Sequence, residues 1–341
     1  VNWRPVNKPK KPGQMRRLSL QSVARGADGI CFFQWRQSIA GAEKFHSGMV
    51  PHGGTTTRTW REVRDLGAEL ASIADIEGAR VDADVAIVLD WSSWWGLELD
   101  SHPSTELRLT ELLLAYYRPL LAAGVTVDFV RPGAPLDRYR LVLVPNLYLV
   151  SDDEAKSLRT YAENGGTLVV SFFSGVVDEN DHVRAGGYPG AFRGVLGGVV
   201  EEFAPLMDGE SVRLSSELLG AATGSAWSEV VTSEGADVVA SFVGGDLDGR
   251  PAVLRNATGE GTAWYVATLP DHEAMTRLLR RVCEQAGVRP VTADLPAGLE
   301  AVRRGPYLFL PNHTNESATV TVADDTFTIQ AGDVLIRKEG Q

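Results

Sequence analysis

Between residues 85 and 171 the chain alternates short apolar segments with stretches of helical length, and this alternation restricts the possible folds most. Short uninterrupted apolar runs are typical of strands that are buried on both faces of a sheet. Because such strands alternate here with helices, the sequence predicts a doubly wound, parallel α/β domain. The apolar segments are Val85–Asp90, Val125–Val130, Tyr139–Pro145 and Thr167–Ser171. Later strands and a closing helix are predicted at Val238–Phe242, Ala252–Arg255, Thr262–Ala267 and Glu273–Ala286.

Two helix starts in this domain carry recognisable capping residues. Ser104 precedes an amphipathic stretch, Thr105–Ala123, which we predict as a helix that Gly124 ends. Ser151–Glu154 has the spacing of a capping box, in which the Ser and Glu side chains each accept a backbone amide of the first turn. This box predicts a helix that runs to Asn164.

The amino-terminal part shows the same pattern once, as helix, apolar strand, loop and helix. The helices are predicted at Gly13–Arg25 and Thr59–Ala74, and the strand at Gly29–Trp35. One such unit is too small to build a parallel sheet alone, so we expect it to be the end of a larger structure whose chemistry lies upstream.

The residues after 287 change to short β segments separated by turns, which predicts a small antiparallel β domain. The segments are Leu299–Arg303, Tyr307–Leu310, Ala318–Val322, Thr326–Ile329 and Asp333–Ile336.

The charge balance excludes one large class of functions. With 33 basic and 44 acidic residues the net charge is −11, whereas nucleic-acid binding depends on Lys and Arg that neutralise phosphates. We interpret the basic cluster between Arg4 and Arg17 as a solvated loop and helix start. No apolar run approaches the length of a bilayer span, so no membrane partner is expected. Two cysteines, Cys31 in the apolar strand and Cys283, favour a reducing cytosol.

A loop after the first apolar strand carries the best polar candidates, Glu43 and His46. If that strand belongs to a (β/α)8 barrel, this loop lies at the face where active sites of such barrels gather. A metal site is the weaker interpretation, because the spacing lacks the HExxH arrangement. A solvated loop is the remaining alternative.

Two groups of tryptophans are candidates for ligand or subunit contacts. Trp3, Trp35 and Arg36 lie near the same loop, and a Trp ring suits the apolar C–H face of a sugar, although a single Trp is more often part of a core. Of the two, Trp35 is the more core-like, because it ends an apolar strand. Trp91–Glu98 contains three Trp at the carboxyl end of a strand, which we interpret as a subunit interface that reaches an active site.

A nucleophile is not indicated in the second domain. The turn at Ser171–Gly175 occupies a strand-to-helix position, but it has neither a Cys nor a G-x-S-x-G pattern. We therefore interpret Ser171 and Ser174 as structural.

Seven stretches spread over nearly the whole chain resemble one known family. They are Val1–Asn7, Gly26–Ser38, Gly41–His46, Arg58–Val63, Trp94–Glu98, Pro145–Leu149 and Tyr307–His313. These stretches are similar to the β-galactosidases of glycoside hydrolase family 42, and the block from residue 26 to 46 is the most specific.

The resemblance implies an α/β protein in three parts. Residues 1–77 would be the last portion of a (β/α)8 catalytic barrel, with helix 7, strand 8 and helix 8. Residues 78–287 would be a flavodoxin-like domain, similar to class I amidotransferases, that mediates trimerisation. Residues 288–341 would be the carboxyl-terminal antiparallel β domain.

The resemblance also implies the site residues. Trp3 matches a sugar-contacting Trp, Glu43 and His46 match a pair that hydrogen-bonds galactose hydroxyls, and Phe33 faces the pocket from the end of strand 8. The acid/base and nucleophile glutamates of the family precede Val1, so no catalytic residue is expected in this chain.

The expected function is therefore part of a retaining β-galactosidase that hydrolyses terminal non-reducing β-D-galactose residues by double displacement. The implied assembly is a cytoplasmic homotrimer that acts on a galactoside without a cofactor or a metal in this chain. The 341 residues alone are predicted to be inactive. The alternatives are a non-catalytic oligomerisation or binding fragment, or a related glycosidase such as an α-L-arabinopyranosidase.

Overall fold

The computed structural model describes residues 3–340 and divides into two compact units. Of the described residues, 3–82 and 291–340 form the terminal unit, and the central unit spans Ala83–Pro290. The two ends of the chain therefore share one unit, whereas the sequence assigns them to separate domains. Val1 and Asn2, with which the family resemblance begins, lie outside the described residues.

Two helices start the terminal unit, close to their predicted positions. They are α1 (Gln14–Ala24) and α2 (Arg58–Ser72). The side-chain oxygen of Thr57 accepts the backbone N–H of Trp60 and so caps α2. Leu20 of α1 and Leu66 of α2 are buried together, which packs the two helices side by side. Short 3₁₀ turns cover residues 54–56 and 74–76.

The predicted strand Gly29–Trp35 is wrong as a sheet element. Residues 29–35 form no ladder; an isolated bridge pairs Arg36, the next residue, with Val50. Exposure still alternates along the segment, with Ile30 and Phe32 half-buried and Cys31 exposed. Side-chain exposure thus alternates as it does in a strand. A strand also needs neighbouring strands for its backbone hydrogen bonds, and no strand among residues 3–340 pairs with residues 29–33.

The central unit is α/β, as predicted, around a ten-stranded mixed sheet. Five strands are parallel, in the order β2-β1-β3-β4-β11. The first four are β1 (Val85–Val88), β2 (Val127–Val130), β3 (Leu141–Val144) and β4 (Thr167–Ser171).

The rest of the central sheet is antiparallel, which corrects the prediction of a wholly parallel sheet. Strands joined by a short turn pair antiparallel, because a parallel pair needs a long crossover. The turn at Gly259 between β10 and β11 is such a case. The sheet continues from β11 as β10-β9-β6-β7-β12, and β5 pairs with β8 separately. The strands are β5 (Gly198–Phe203), β6 (Val212–Ser215), β7 (Ala222–Ser225), β8 (Glu229–Ser233), β9 (Asp237–Val243), β10 (Pro251–Thr258), β11 (Gly261–Val266) and β12 (Leu269–Pro270).

Five helices accompany these strands: α3 (Trp91–Leu97), α4 (Leu109–Ala122), α5 (Asp152–Glu163), α6 (Arg193–Leu196) and α7 (His272–Ala286). The capping box of α5 is confirmed, with Ser151 and Glu154 in both reciprocal bonds. The predicted start of α4 is wrong, because Ser104 accepts the amide of Glu106 in a local turn. The amide of Leu109 instead donates to the Glu98 carboxylate at 3.0 Å.

The carboxyl-terminal strands are antiparallel, as predicted, and buried Arg304 joins them to the amino-terminal helices. Its guanidinium donates to the carbonyl oxygens of Val23, Ala27 and Ala79 at 2.8–2.9 Å and pairs with Asp28. These bonds explain why both chain ends form one unit. The strands are β13 (Val302–Arg304), β14 (Tyr307–Pro311), β15 (Ala318–Val322), β16 (Asp325–Ile329) and β17 (Val334–Lys338).

A search of residues 3–340 finds no helix with the length and apolar character needed to cross a membrane.

Candidate functional site

Four residues singled out from the sequence lie together in the terminal unit. The rings of Trp3 and His46 are 5.1 Å apart and nearly perpendicular, and Phe33 meets the same imidazole at 6.2 Å. Glu43 Oε1 lies 3.9 Å from His46 Nδ1. His46 is only 5% exposed, whereas Trp3 and Phe33 are 69% and 67% exposed. The imidazole therefore supports two aromatic rings that face outward. We call these four residues the aromatic cluster.

A tight turn places Glu43 and His46 beside each other. The backbone N–H of His46 donates to the carbonyl oxygen of Glu43 at 2.9 Å, and that of Lys44 donates to Gly41 at 3.4 Å. Gly41 has φ 79°, a left-handed conformation that glycine adopts without steric cost. The Lys44 ammonium also donates to the Gly41 carbonyl oxygen. The turn therefore leaves the carboxylate of Glu43 as the half-exposed charge beside the imidazole.

The chain on either side of this turn is fixed by a short backbone pairing. Met49 N–H donates to Gln34 and Val50 N–H to Trp35, both at 2.8 Å. Gly48 sits so close to Gln37 that a Cβ would lie 2.6 Å from the Gln37 nitrogen. Only glycine allows this approach, so residue 48 holds the two ends of the loop together.

A cavity of about 920 Å³ borders the aromatic cluster. Trp3 and Phe33 line it, whereas Glu43 and His46 do not. Arg58 and Glu62, on its α2 side, pair with each other at 2.7 Å. The volume lies within the range of small-molecule pockets, about 300–1,000 Å³. Trp3 and Phe33 thus line this cavity and also contact the imidazole of His46.

The chemistry available in the cluster is that of binding. An exposed carboxylate accepts hydroxyl hydrogen bonds, and an exposed aromatic face covers apolar C–H groups. Glycoside hydrolysis needs two carboxyl groups that divide nucleophilic and acid/base roles, and Glu43 is the single carboxylate of the cluster. No three His, Cys, Asp or Glu side chains between residues 3 and 340 group as metal ligands.

Trp35 and Arg36 lie next to the cluster. Trp35 packs edge-on against Trp60 of α2 at 5.7 Å, and its own ring is about as exposed as that of Trp3. The expectation that Trp35 is the more buried of the two is therefore wrong, because the segment has no covering layer on that face.

The three tryptophans of α3 form a separate feature in the central unit. Trp91 and Trp94 stack at 5.2 Å, and Trp94 Nε1 donates to Glu98 at 2.7 Å. The rings of Trp91 and Trp95 are exposed. Asp90 caps the helix by accepting the Ser93 amide. The helix therefore presents aromatic surface.

Ser171, the last residue of β4, and Ser174, just after this strand, have structural roles. Both are fully buried. The Ser171 hydroxyl accepts the amide of Asn146 and that of Ser174 accepts the amide of Leu147, at 2.8 and 3.1 Å. The hydroxyls are thus occupied by the backbone of the neighbouring loop.

A buried acid that no sequence motif indicated, Glu229, lies at the start of β8. Its carboxyl accepts hydrogen bonds from Trp227 Nε1 at 2.9 Å, from the Tyr265 hydroxyl and from the backbone of Phe173. Complete burial raises the pKa of Glu229 to about 7 despite these bonds. The sequence did contain a signal for its burial: Glu229 lies two residues before the apolar Val231, and alternate residues of a strand share a face.

A second missed carboxyl, Glu300, has the opposite electrostatics. Gln21, Arg25 and His313 all donate to it. Burial raises its pKa, but the bonds from His313 and Arg25 outweigh that effect and bring it to about 2. Glu300 therefore remains ionised and ties α1 to the carboxyl-terminal strands.

Comparison with known proteins connects these features to one family. The family model described as "Beta-galactosidase trimerisation domain" matches residues 83–289, and the one described as "Beta-galactosidase" matches residues 1–73. A β-galactosidase of Arthrobacter sp is 49% identical over 99% of this chain and 50% of its own length. One of Geobacillus kaustophilus is 44% identical over 95% of this chain and 49% of its own.

Solved structures show the same relation. The crystal structure of a β-galactosidase from Bacillus circulans sp. alkalophilus superposes with a TM-score of 0.94 at 35% identity, covering 98% of this chain and 53% of its own. A catalytic mutant of a GH42 β-galactosidase from G. stearothermophilus gives 0.93 at 29% identity, covering 98% and 52%. The chain spans about half the length of the relatives it matches.

Proposed function

Because the chain belongs to the β-galactosidases of glycoside hydrolase family 42, we propose that it forms part of a retaining β-galactosidase. The whole enzyme would hydrolyse terminal non-reducing β-D-galactose residues. The observation that carries the proposal is the aromatic cluster, in which Trp3, Phe33, Glu43 and His46 meet although up to 43 positions separate them in sequence.

In this proposal the cluster forms one wall of the galactose site. Trp3 or Phe33 covers the apolar face of the ring, and the Glu43 carboxylate accepts hydrogen bonds from its hydroxyl groups. His46 is too buried to lie flat against a sugar, so it acts through an edge nitrogen and through its support of the two rings. Hydrogen bonds to a charged group are worth roughly 1.5–3 kcal/mol each, enough for Glu43 to orient the sugar.

The reaction would be a double displacement with two glutamates supplied by preceding polypeptide. In retaining enzymes one carboxylate attacks the anomeric carbon, and the other first protonates the leaving oxygen and then activates water, the pair being about 5–5.5 Å apart. Glu43 has neither role here, because its place in the family resemblance is that of a binding residue.

We further propose the arrangement that the resemblance implies. Residues 1–77 form the end of a (β/α)8 barrel and the central unit is a flavodoxin-like domain that assembles a homotrimer. The trimerisation description of the matching family model supports this, as does the exposed aromatic surface of α3. The exposed thiol of Cys31 fits the reducing cytosol, where free thiols persist.

The test compares the 341-residue chain with the full-length protein on an aryl β-galactoside and on an aryl α-L-arabinopyranoside. We expect turnover of the galactoside by the full-length protein and none by the 341 residues. Full activity of the 341 residues would contradict the position of both glutamates, and a full-length protein that cleaves only the arabinopyranoside would reject the galactosidase assignment.

A further inference from the structure

The loop that carries Glu43 and His46 is exposed over most of its length. Residues 39–45 are all exposed. The backbone amides of Lys44 and His46 bond within the loop itself, to the carbonyl oxygens of Gly41 and Glu43. An exposed segment with local hydrogen bonds has little packing of its own to fix its direction. The direction of the Glu43 side chain therefore depends on buried His46 and on the base of the loop.

Two side chains close the base of this loop in a reciprocal way. The side-chain oxygen Oε1 of Gln37 accepts the backbone N–H of His52 at 3.0 Å. The imidazole Nε2 of His52 lies 2.7 Å from the carbonyl oxygen of Ser38 and donates to it, since a carbonyl oxygen only accepts. Each end of the loop thus bonds to the backbone of the other end through a side chain. We call Gln37 and His52 the loop clamp.

The loop clamp connects the exposed loop to a packed helix. His52 comes just before the 3₁₀ turn at residues 54–56, which leads directly into the cap Thr57 and helix α2. Leu66 of α2 is buried together with Leu20 of α1. The clamp therefore fixes the loop relative to the two packed helices of the terminal unit.

We propose that Gln37 and His52 are positioning residues of the galactose site, which hold the loop so that the Glu43 carboxylate meets the sugar hydroxyls. This inference rests on the proposed function, because the clamp acts through Glu43. A displacement of about 1 Å caused by a distant mutation lowers a rate by up to about 100-fold. The two clamp bonds are partly exposed, so water replaces them in part when they are lost, and we expect a smaller effect of about tenfold.

The alternative role for Gln37 is direct contact with the substrate. Gln37 lines the same cavity as Trp3 and Phe33, and its amide nitrogen Nε2 has two hydrogens to donate. The two roles use different atoms of the side chain, the oxygen for the clamp and the nitrogen for the substrate. Gln37→Glu keeps an acceptor and removes the donor, whereas Gln37→Leu removes both. This pair of variants separates the two roles.

Hydrogen exchange of the His52 amide in the full-length protein tests the clamp itself. The Gln37 oxygen protects this N–H in the wild-type protein. We expect Gln37→Leu to speed its exchange by about tenfold or more and Gln37→Glu to keep it slow. Exchange of α2 peptides should be the same in all variants, which shows that the fold is retained. Slow exchange of the His52 amide in Gln37→Leu would overturn the clamp.

Steady-state kinetics on an aryl β-galactoside test what the clamp does. We expect kcat/KM to fall about tenfold in Gln37→Leu and in His52→Ala, which removes the bond to Ser38, and Gln37→Glu to stay within about threefold of wild type. A loss in Gln37→Glu equal to that in Gln37→Leu would overturn positioning in favour of direct substrate contact. His52→Ala leaves Gln37 in place, so it decides the question if Gln37→Leu does not fold.

The matched control is a second glutamine of the terminal unit. The side-chain oxygen of exposed Gln330 also accepts a hydrogen bond, from the Ser317 hydroxyl at 3.0 Å. Gln330→Leu should therefore keep wild-type kinetics. A loss equal to that of Gln37→Leu would assign both effects to general destabilisation and overturn the positioning role.

Combination with Glu43→Ala distinguishes failure of this inference from failure of the proposed function. Once the Glu43 carboxylate is removed, the clamp has nothing left to position, so Gln37→Leu should then lower kcat/KM by less than about twofold. The same tenfold loss with and without Glu43 would overturn the inference and leave the function intact. Wild-type kinetics for Glu43→Ala alone would reject the binding role of Glu43 in the proposed function, and the inference with it.

Discussion

The two compact units differ in how completely their strands are paired. In the central unit ten strands form one continuous sheet, the hydroxyls of Ser171 and Ser174 accept backbone amides, and the buried carboxyl of Glu229 has three hydrogen-bond donors. In the terminal unit residues 29–33 form no strand pair within residues 3–340, and Trp3, Phe33 and Glu43 of the aromatic cluster are exposed. Complete pairing is typical of a scaffold, whereas exposed aromatic rings beside a carboxylate are typical of a binding surface. We therefore expect substrate binding to depend on the terminal unit more than on the central unit.

The largest expected effect is on catalysis, from Glu43→Ala in the full-length protein. Loss of a charged hydrogen-bond acceptor should cost roughly 2–4 kcal/mol of transition-state stabilisation, a decrease in kcat/KM of about 30- to 1,000-fold. Steady-state kinetics on an aryl β-galactoside measure it. The control is Glu77→Ala, at an exposed glutamate of the same unit, which should keep wild-type kinetics. Equal kinetics for the two variants would show that Glu43 does not bind the substrate.

The central unit should lose stability as pH rises towards 7, because of Glu229. Its folded-state pKa of about 7 exceeds the ordinary value of 4.5, so the folded form holds a proton that the unfolded chain has released. The free energy of unfolding should therefore fall between pH 4.5 and 7, by roughly 3 kcal/mol, and level off above pH 7.

Hydrogen exchange of peptides from β8 and β11 as a function of pH tests this prediction. The groups that face the carboxyl are the Tyr265 hydroxyl, the Trp227 indole N–H and the Phe173 amide, with Tyr116 beyond Tyr265. None of these carries a compensating positive charge. Glu229→Gln should abolish the slope, and a slope that persists in this variant would assign it to another group.

The terminal unit should respond to pH in the opposite sense, through Glu300. Its pKa of about 2 lies below the ordinary 4.5, so its contribution is present above pH 4.5 and is lost as pH falls towards 2. Glu300→Gln should cost about 2 kcal/mol at neutral pH, because bonds from Arg25 and His313 to an ionised acceptor become bonds to a neutral one. Exchange of peptides from α1 and β14 measures this. Acid sensitivity that is unchanged in the variant would exclude Glu300 as its source.

The smallest effects compare two serines of the central unit that the sequence marks as caps. Ser151→Ala removes a complete capping box and should destabilise α5 by about 1 kcal/mol. Ser104→Ala removes a hydroxyl that caps no helix and should change stability by less than about 0.5 kcal/mol. Urea denaturation of the two variants provides the comparison, and a larger loss at Ser104 would contradict the observed start of α4.

Local signals in the sequence succeeded where the partners are close along the chain. Ser151 and Glu154 cap each other within one turn, so the start of α5 follows from four residues. The strands at residues 167–171 and 318–322 have their predicted bounds because apolar runs and flanking turns mark both ends. The prediction of the start of α4 failed because the carboxylate that accepts the amide of Leu109 belongs to Glu98, which lies 11 positions earlier in the sequence.

The sequence by itself determined the α/β class of the central unit, the positions of β1 to β4 and of helices α1, α2, α5 and α7, the family, and the residues that gather around His46. Each follows from periodicity, from turns or from a specific block of residues. Only the tertiary structure decided that the amino- and carboxyl-terminal regions share a unit, that half of the central sheet is antiparallel, and that the pKa of Glu229 is raised whereas that of Glu300 is lowered. These outcomes depend on long-range contacts, such as those of Arg304 with residues 23–28, and on whether a buried carboxyl meets neutral donors or an arginine. A short window of sequence contains neither kind of information.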